Sequence, residues 1–320
     1  MNYIDDRYDF MLLLKMKNMQ GEMNVSIIPN NFINSVVAIG VQQQCNGHIE
    51  KLWIGTGFLV SMQEPNNIQT STVYLITNKH VLNGKSTVYL RFNSILGSFV
   101  KDYEIQLMDG FGKKTYTEHP DAEVDIIAIQ LNPQCLINDS SIWGAINIEA
   151  ESLDVYTMKM QGIDEGWLVY ALGFPMNLVS DFKAPICRMG CISRLTDAFV
   201  QPEKTKYFLV DAQVFPGNSG GPIISKPENV FFASGVNYMP AKLIGVLSAY
   251  IPYRDVLISQ QTQETKMVQT ENSGLTIVYP VDRIKEVVLL DWNRHREGVI
   301  NTVGTYIVEN TEKGQISNSN

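Results

Sequence analysis

Ser219 lies in the run DAQVFPGNSGGPI (211–223), among three glycines and two prolines with apolar residues on both flanks. Such a composition fits a surface turn. It also fits a tight loop that holds one hydroxyl and several backbone N–H groups in a fixed arrangement. A nucleophilic serine needs a histidine to take its proton, a carboxylate to orient that histidine, and N–H donors for the developing oxyanion. The chain has four histidines, so the search for the base is short. His48 sits in the polar stretch QQQCNGHIEK, His119 in TEHPDAE, and His295 on a charged helix face; all three are expected as solvated surface residues. His80 differs, because VYLITNKHVLNG places it directly after an apolar strand, where a scaffold can aim it into a cleft. Asp125 opens the apolar run in AEVDIIAIQL. Acids are rarely buried without a partner, so this carboxylate is either a strand-end cap or the orienting member of a histidine pair.

The elements around these residues read as strands. Short β-branched and aromatic runs recur at 33–41, 51–60, 71–77, 86–92, 103–108 and 124–131, and again at 167–174, 186–195, 206–214, 242–250 and 274–280. Gly, Asn, Asp and Pro separate them, the pattern of an all-β barrel or sandwich protein. The segment VDRIKEVVLLDWNRHRE (281–297) breaks the rhythm, spacing Ile284, Val287, Val288 and Asp291/Trp292 as one helical face. Two stretches, 225–241 and 252–273, read as insert-like loops able to cover a cleft. The expected organisation is an N-terminal extension (1–30), a first barrel with His80 and Asp125 (31–137) and a connection (138–164). A second barrel with Ser219 (165–280), the helix and following segment (281–309) and a polar tail (310–320) complete it.

Composition narrows the function classes. The 320 residues, 45% hydrophobic and 18% charged, suit a globular protein with a sizeable core. A net charge of −8 argues against nucleic-acid or anionic-membrane partners. The run FMLLL (10–14) follows Asp5 and Asp6 and precedes Lys15 and Lys17, which is too short and wrongly flanked for a secretory signal. With the four cysteines, Cys45, Cys135, Cys187 and Cys191, read as reduced thiols, this favours a cytoplasmic location. Cys187 and Cys191 lack a second Cys/His pair at metal-ligand spacing, and no metal or other cofactor is expected.

The segments taken together resemble a known family. GTGFLV (55–60), LITNKHV (75–81), VDIIAIQL (124–131) and PGNSGGPI (216–223) are similar to the trypsin-like serine proteases, most closely their bacterial HtrA-type and glutamyl-endopeptidase-like branch. ALGFP (171–175), IGVLSAY (244–250) and TIVYPVDRI (276–284) extend the likeness over about residues 33–297, the protease domain without a PDZ domain. The resemblance implies two six-stranded antiparallel β-barrels with a cleft between them and a C-terminal helix. It implies Ser219 as nucleophile, His80 as general base and acid, Asp125 as the group fixing the imidazole, and the Gly217 and Ser219 N–H groups as an oxyanion hole.

The same likeness suggests how substrate would sit. Leu247, Ser248, Ala249 and Tyr250 would lie beside an extended peptide, with Ser248 bonded to the aspartate and Gln213 at the base of the specificity pocket. A neutral Gln213 offers no counter-charge to Lys or Arg, Leu247 stands where glutamyl endopeptidases carry histidine, and Tyr250 is bulky. The expectation is a small or medium, uncharged P1 residue. Asn218 stands where the animal enzymes have aspartate, so activation by a cleaved N-terminus is not expected; control would come from loop ordering, self-association or a regulatory partner. The alternative is a catalytically silent relative that binds extended peptides. An esterase is a third reading, since GNSGG fits G-x-S-x-G, yet those enzymes run Ser, Asp, His along the chain and set the serine on a strand-to-helix elbow.

Overall fold

The computed structural model describes residues 27–298, except 46, 65–66, 95–99, 180–182 and 233–234, together with 307–308. The FMLLL run and the polar tail lie outside the described residues. In the first half the strands are β1 (Val36–Cys45), β2 (His48–Glu64), β3 (Asn67–Thr77), β4 (Thr87–Ser94), β5 (Val100–Gln106), β6 (Thr117–Glu118), β7 (Ile127–Leu131), β8 (Ser141–Ile142) and β9 (Ile146–Asn147). The second half contributes β10 (Leu168–Gly173), β11 (Ile186–Arg194), β12 (Phe208–Asp211), β13 (Pro222–Ser225), β14 (Glu228–Phe232), β15 (Gly235–Met239), β16 (Leu243–Ile258) and β17 (Thr265–Pro280). A last strand, β18, covers Ile307–Val308.

The all-β class with a C-terminal helix holds, with one correction. Six strands of the second half close into a barrel in the order β10-β11-β12-β17-β16-β13. The first half, expected as the first of two six-stranded barrels, forms a ten-stranded sheet running β18-β5-β4-β1-β2-β3-β7-β6, with β8 and β9 joined to its side and no pairing among the described residues that closes it. Closure would need β5 to meet the β7–β6 end. That edge of β5 is taken by β18, through Ile307↔Glu104 and Val308↔Tyr103, while β6 offers only two residues.

Period-two burial explains how these strands hold together. Val37, Ile39, Leu59, Leu75, Leu90, Tyr103 and Ile129 point into the core of the first half, and Val169, Ile192, Val210, Ile223 and Ile244 into the barrel. A third cluster joins the halves: Val36, Ala38, Phe58 and Ile76 meet Leu172, Phe174, Ile224 and Leu243. The helix Val281–Arg296 lays Ile284, Val287 and Val288 on this same cluster, the face its spacing predicts. Each such burial contributes about 1.5–3 kcal/mol, so the helix ties the two halves where a cleft between them must be held.

The two insert-like stretches are not loops. Residues 225–241 contain the hairpin β14–β15, and 252–273 are the outer halves of β16 and β17, which run on as a long exposed arm. His119 also departs from expectation. It is buried, its Nε2–H donates to Glu286 on the helix (2.7 Å), and Nδ1 accepts from the Asp121 N–H (3.1 Å). His295 is largely covered as well and lies 3.0 Å from Asp291, whereas His48 is exposed. Cys135, Cys187 and Cys191 are free thiols.

Candidate functional site

His80 lies in a single helical turn, Lys79–Leu82, that begins where β3 ends. Val81 and Leu82 of that turn are buried in the first-half core, which turns His80 outward, with about half of its side-chain surface exposed. Asp125 stands two residues before β7, the strand paired with β3, so sheet register sets the two side chains side by side. The Asp125 carboxylate accepts from His80 twice: Oδ2 from the ring Nδ1 (2.5 Å) and Oδ1 from the backbone N–H (3.1 Å). The Ser248 hydroxyl donates to Oδ2 from across the molecule (3.0 Å). Asn78 Nδ2 donates to the Asp125 carbonyl (2.7 Å) and fixes the main chain there. Burial pushes the Asp125 carboxyl upward, but the bonds from His80 and Ser248 and the nearby imidazole charge outweigh it and hold the group below the usual carboxylate range. Because Nδ1–H faces this carboxylate, Nε2 is the acceptor of the neutral ring.

The Ser219 loop is held almost wholly through its backbone. Phe215 to Asn218 form a turn closed by the Asn218 N–H on the Phe215 carbonyl (3.0 Å), with Pro216 second and Gly217 third at φ +100°. That is the arrangement a type II turn requires. The Pro216 carbonyl accepts from Met176 N–H (2.7 Å) and the Gly217 carbonyl from the Thr56 hydroxyl (2.6 Å). In a trans peptide the N–H points opposite its carbonyl, so anchoring Pro216 outward turns the Gly217 N–H inward. Neither the Gly217 nor the Ser219 N–H donates to any acceptor among the described residues. Gly220 follows at φ +85°, and a Cβ there would overlap the Thr56 carbonyl and the Thr77 hydroxyl. Only glycine lets this loop close against the first half.

Thr56 joins the halves at this point. It is fully buried, its N–H donates to the Ser219 carbonyl (3.0 Å), its hydroxyl accepts from the Phe174 N–H (3.0 Å), and its carbonyl accepts from the Thr77 hydroxyl (2.7 Å). Thr77 is three residues from His80. The serine loop is therefore pinned to the end of β3, the strand that leads into the turn carrying the histidine. Gly220 N–H also donates to the Leu247 carbonyl (2.9 Å), which brings the loop beside Ser248.

A cavity of about 420 Å³ opens in front of Ser219, walled by Val214–Pro216 on one side and Leu247–Tyr250 on the other, with Pro252, Arg254 and Thr270 at its far end. A second, of about 610 Å³, lies on the other side of the imidazole and includes Lys79, His80, Lys85 and Asp125. Leu247, Ser248, Ala249 and Tyr250 thus line the space before the serine. Gln213 does not: alternation along its segment buries Ala212 and Val214 and leaves Gln213 exposed, so Val214 takes the wall position. His80 Nε2 and Ser219 Oγ are not hydrogen-bonded to each other among the described residues, and such contacts often tighten only when substrate binds. Ser219 lies between β12 and β13, two strands, not on a strand-to-helix elbow.

Three positions in this region carry no signal in the motifs. Thr56 sits inside GTGFLV but its hub role depends on the opposite lobe. Met176, at φ +54°, presents its N–H to Pro216 from a distant segment. Arg254 reaches the cavity only because the arm is strand and not loop.

None of the curated proteins matches the chain. A solved structure of an HtrA-type protease AlgW with decapeptide is similar over 88% of this chain and 77% of its own, at 14% identity and a TM-score of 0.44. The family model for a trypsin-like peptidase domain matches residues 55–232, more than half of the chain, and spans His80, Asp125 and Ser219. The chain belongs to the trypsin-like peptidase family.

Proposed function

We propose that this protein is a serine endopeptidase that cleaves protein substrates through an acyl-enzyme intermediate. Ser219 Oγ attacks the scissile carbonyl, His80 Nε2 takes its proton and then returns it to the leaving amine, and Asp125 holds the ring tautomer and its charge. The Gly217 and Ser219 N–H groups receive the oxyanion. One observation carries the reading: the Asp125 carboxylate grips both the ring and the backbone of His80 while Ser248, from the wall of the Ser219 cavity, binds the same oxygen.

Substrate would lie along Ser248–Tyr250. β13 pairs β16 through Pro222↔Val246, Ile223↔Gly245 and Ile224↔Leu243, so the edge beyond is open to an added strand. The cavity beside Ser219 is bounded by Tyr250 and has no acid in its lining to receive a basic side chain, and its one charged residue, Arg254, stands beyond Tyr250 at the far end; this supports a small or medium, uncharged P1 residue next to Ser219. Free thiols at Cys135, Cys187 and Cys191 suit a reducing, cytoplasmic setting. The test is turnover of casein and of a peptide library by the wild type and Ser219→Ala. Wild-type cleavage that falls about a million-fold in the variant supports the reading. Peptide binding without cleavage by either protein would make the chain a silent binding module.

A further inference from the structure

The arm formed by the outer halves of β16 and β17 presents two faces. Its register runs Pro252↔Asn272, Tyr253↔Glu271, Arg254↔Thr270, Asp255↔Gln269, Val256↔Val268 and Leu257↔Met267, and side chains alternate between faces. One face therefore carries Pro252, Arg254, Val256, Val268, Thr270 and Asn272. It is the cleft face: Pro252, Arg254 and Thr270 line the cavity of Ser219, and Asn272 Nδ2 donates to the Val214 carbonyl in that cavity's wall (2.6 Å). The arm's acids Asp255 and Glu271 fall on the opposite face, and Glu264 near its tip pairs with Lys266 (3.1 Å). Arg254 is the only charged residue lining the cavity, and it makes no ion pair or hydrogen bond among the described residues. Across the imidazole, the second cavity carries Lys79, Lys85 and Lys114 beside Glu118 and Asp125; among the described residues Lys114 pairs with Glu118, Lys79 meets the His119 and Asp121 carbonyls (3.3 and 3.2 Å), and Lys85 meets the Asn83 carbonyl (3.5 Å). On a chain of net charge −8, Arg254 is thus an unmatched cation in the wall of the Ser219 cavity.

We propose that Arg254 is a specificity-determining residue that reads a carboxylate on the acyl side of the scissile bond, at P2, P3 or P4, so that the substrate is an acidic peptide segment. This rests on the peptidase reading and refines it. An extended peptide added along Ser248–Tyr250 passes toward Pro252 as it leaves the serine, which brings its P2–P4 side chains to the cleft face of the arm. A guanidinium there meets a carboxylate in a charge-assisted pair, with Thr270 beside it as a second donor. P1 itself faces the wall of Val214–Pro216 and stays uncharged.

The experiment uses paired peptides that differ only by Glu against Gln, or Asp against Asn, at each of P2, P3 and P4. Cleavage by the wild type should favour the acid at one position by about tenfold in kcat/KM, the scale of one hydrogen bond to a charged group. Arg254→Ala should level the pair, and Arg254→Glu should shift preference to a Lys-bearing peptide at that position. The same pairs are offered by fluorescence anisotropy to the Ser219→Ala protein with and without Arg254→Glu, which reads carboxylate recognition without turnover. Equal handling of acid and amide by the wild type, or a preference that survives Arg254→Glu, overturns the proposal. Loss of fluorophosphonate reactivity in the wild type overturns the peptidase reading instead, and the anisotropy arm then still decides the role of Arg254.

Discussion

The two halves hold their parts of the site by different means. In the first half, His80 and Asp125 are set by sheet register and joined side chain to side chain, on strands whose cores are packed from within. In the second, Ser219 rides on a turn whose own side chains do little; the Pro216 carbonyl is tied to Met176, and the Gly217 and Ser219 carbonyls are both tied to Thr56. A side-chain pair can lose chemistry without losing structure. A backbone-held loop cannot, because the same bonds that place the hydroxyl and the N–H groups also close the molecule.

Substitutions separate these two modes of support. Asp125→Asn should leave the fold intact and lower kcat about ten-thousandfold, since an amide in that place no longer imposes the Nδ1–H tautomer; steady-state kinetics beside a thermal melt would show the separation. Gly220→Ala should fail on both counts. The left-handed backbone alone costs about 1–3 kcal/mol, and the added methyl must displace Thr56 or Thr77, so both the melting temperature and kcat should fall together. Thr56→Val removes the donor to the Gly217 carbonyl while keeping the volume. It should lower kcat by about tenfold with little change in KM and also lower the melting temperature, because the Gly217 carbonyl loses its donor and the buried Phe174 N–H loses its acceptor.

The last effect is read in stability alone, at a seam between the halves. Lys183 is buried, its ammonium donates to the Val36 carbonyl (2.6 Å), and burial lowers its pKa to about 7. The unfolded chain holds that proton up to about pH 10.4, so between about pH 7 and 10 the unfolded state binds more protons and stability rises with pH. Lys183→Met should remove this rise, which is worth at most about 1.4 kcal/mol per pH unit. Urea unfolding of both proteins at pH 7 and pH 10 measures the difference.

Much of this was legible in the sequence, and the failures have physical causes. The apolar runs announce strands because period-two burial needs them, and the helix 281–296 is visible because one face is apolar. The open first sheet was not legible, since closure depends on which distant segment takes the edge of β5, and Ile307–Val308 carries no mark of that role. The arm at 252–273 read as loop because a strand pair exposed on both faces shows no alternation. For the same reason Arg254 looked like an ordinary surface charge. The family likeness puts Gln213 at the base of the pocket, but local alternation turns it outward. His119 looked solvated because its partner, Glu286, is 167 positions away.

The peptidase reading requires that Ser219 be an activated nucleophile. Intact-mass analysis after a fluorophosphonate probe, with peptide mapping, asks this of the wild type, His80→Ala and Ser219→Ala. The account predicts one adduct, on Ser219, formed quickly in the wild type and absent from both variants. An unlabelled wild type, or an adduct that forms as fast without the imidazole of His80, would contradict it.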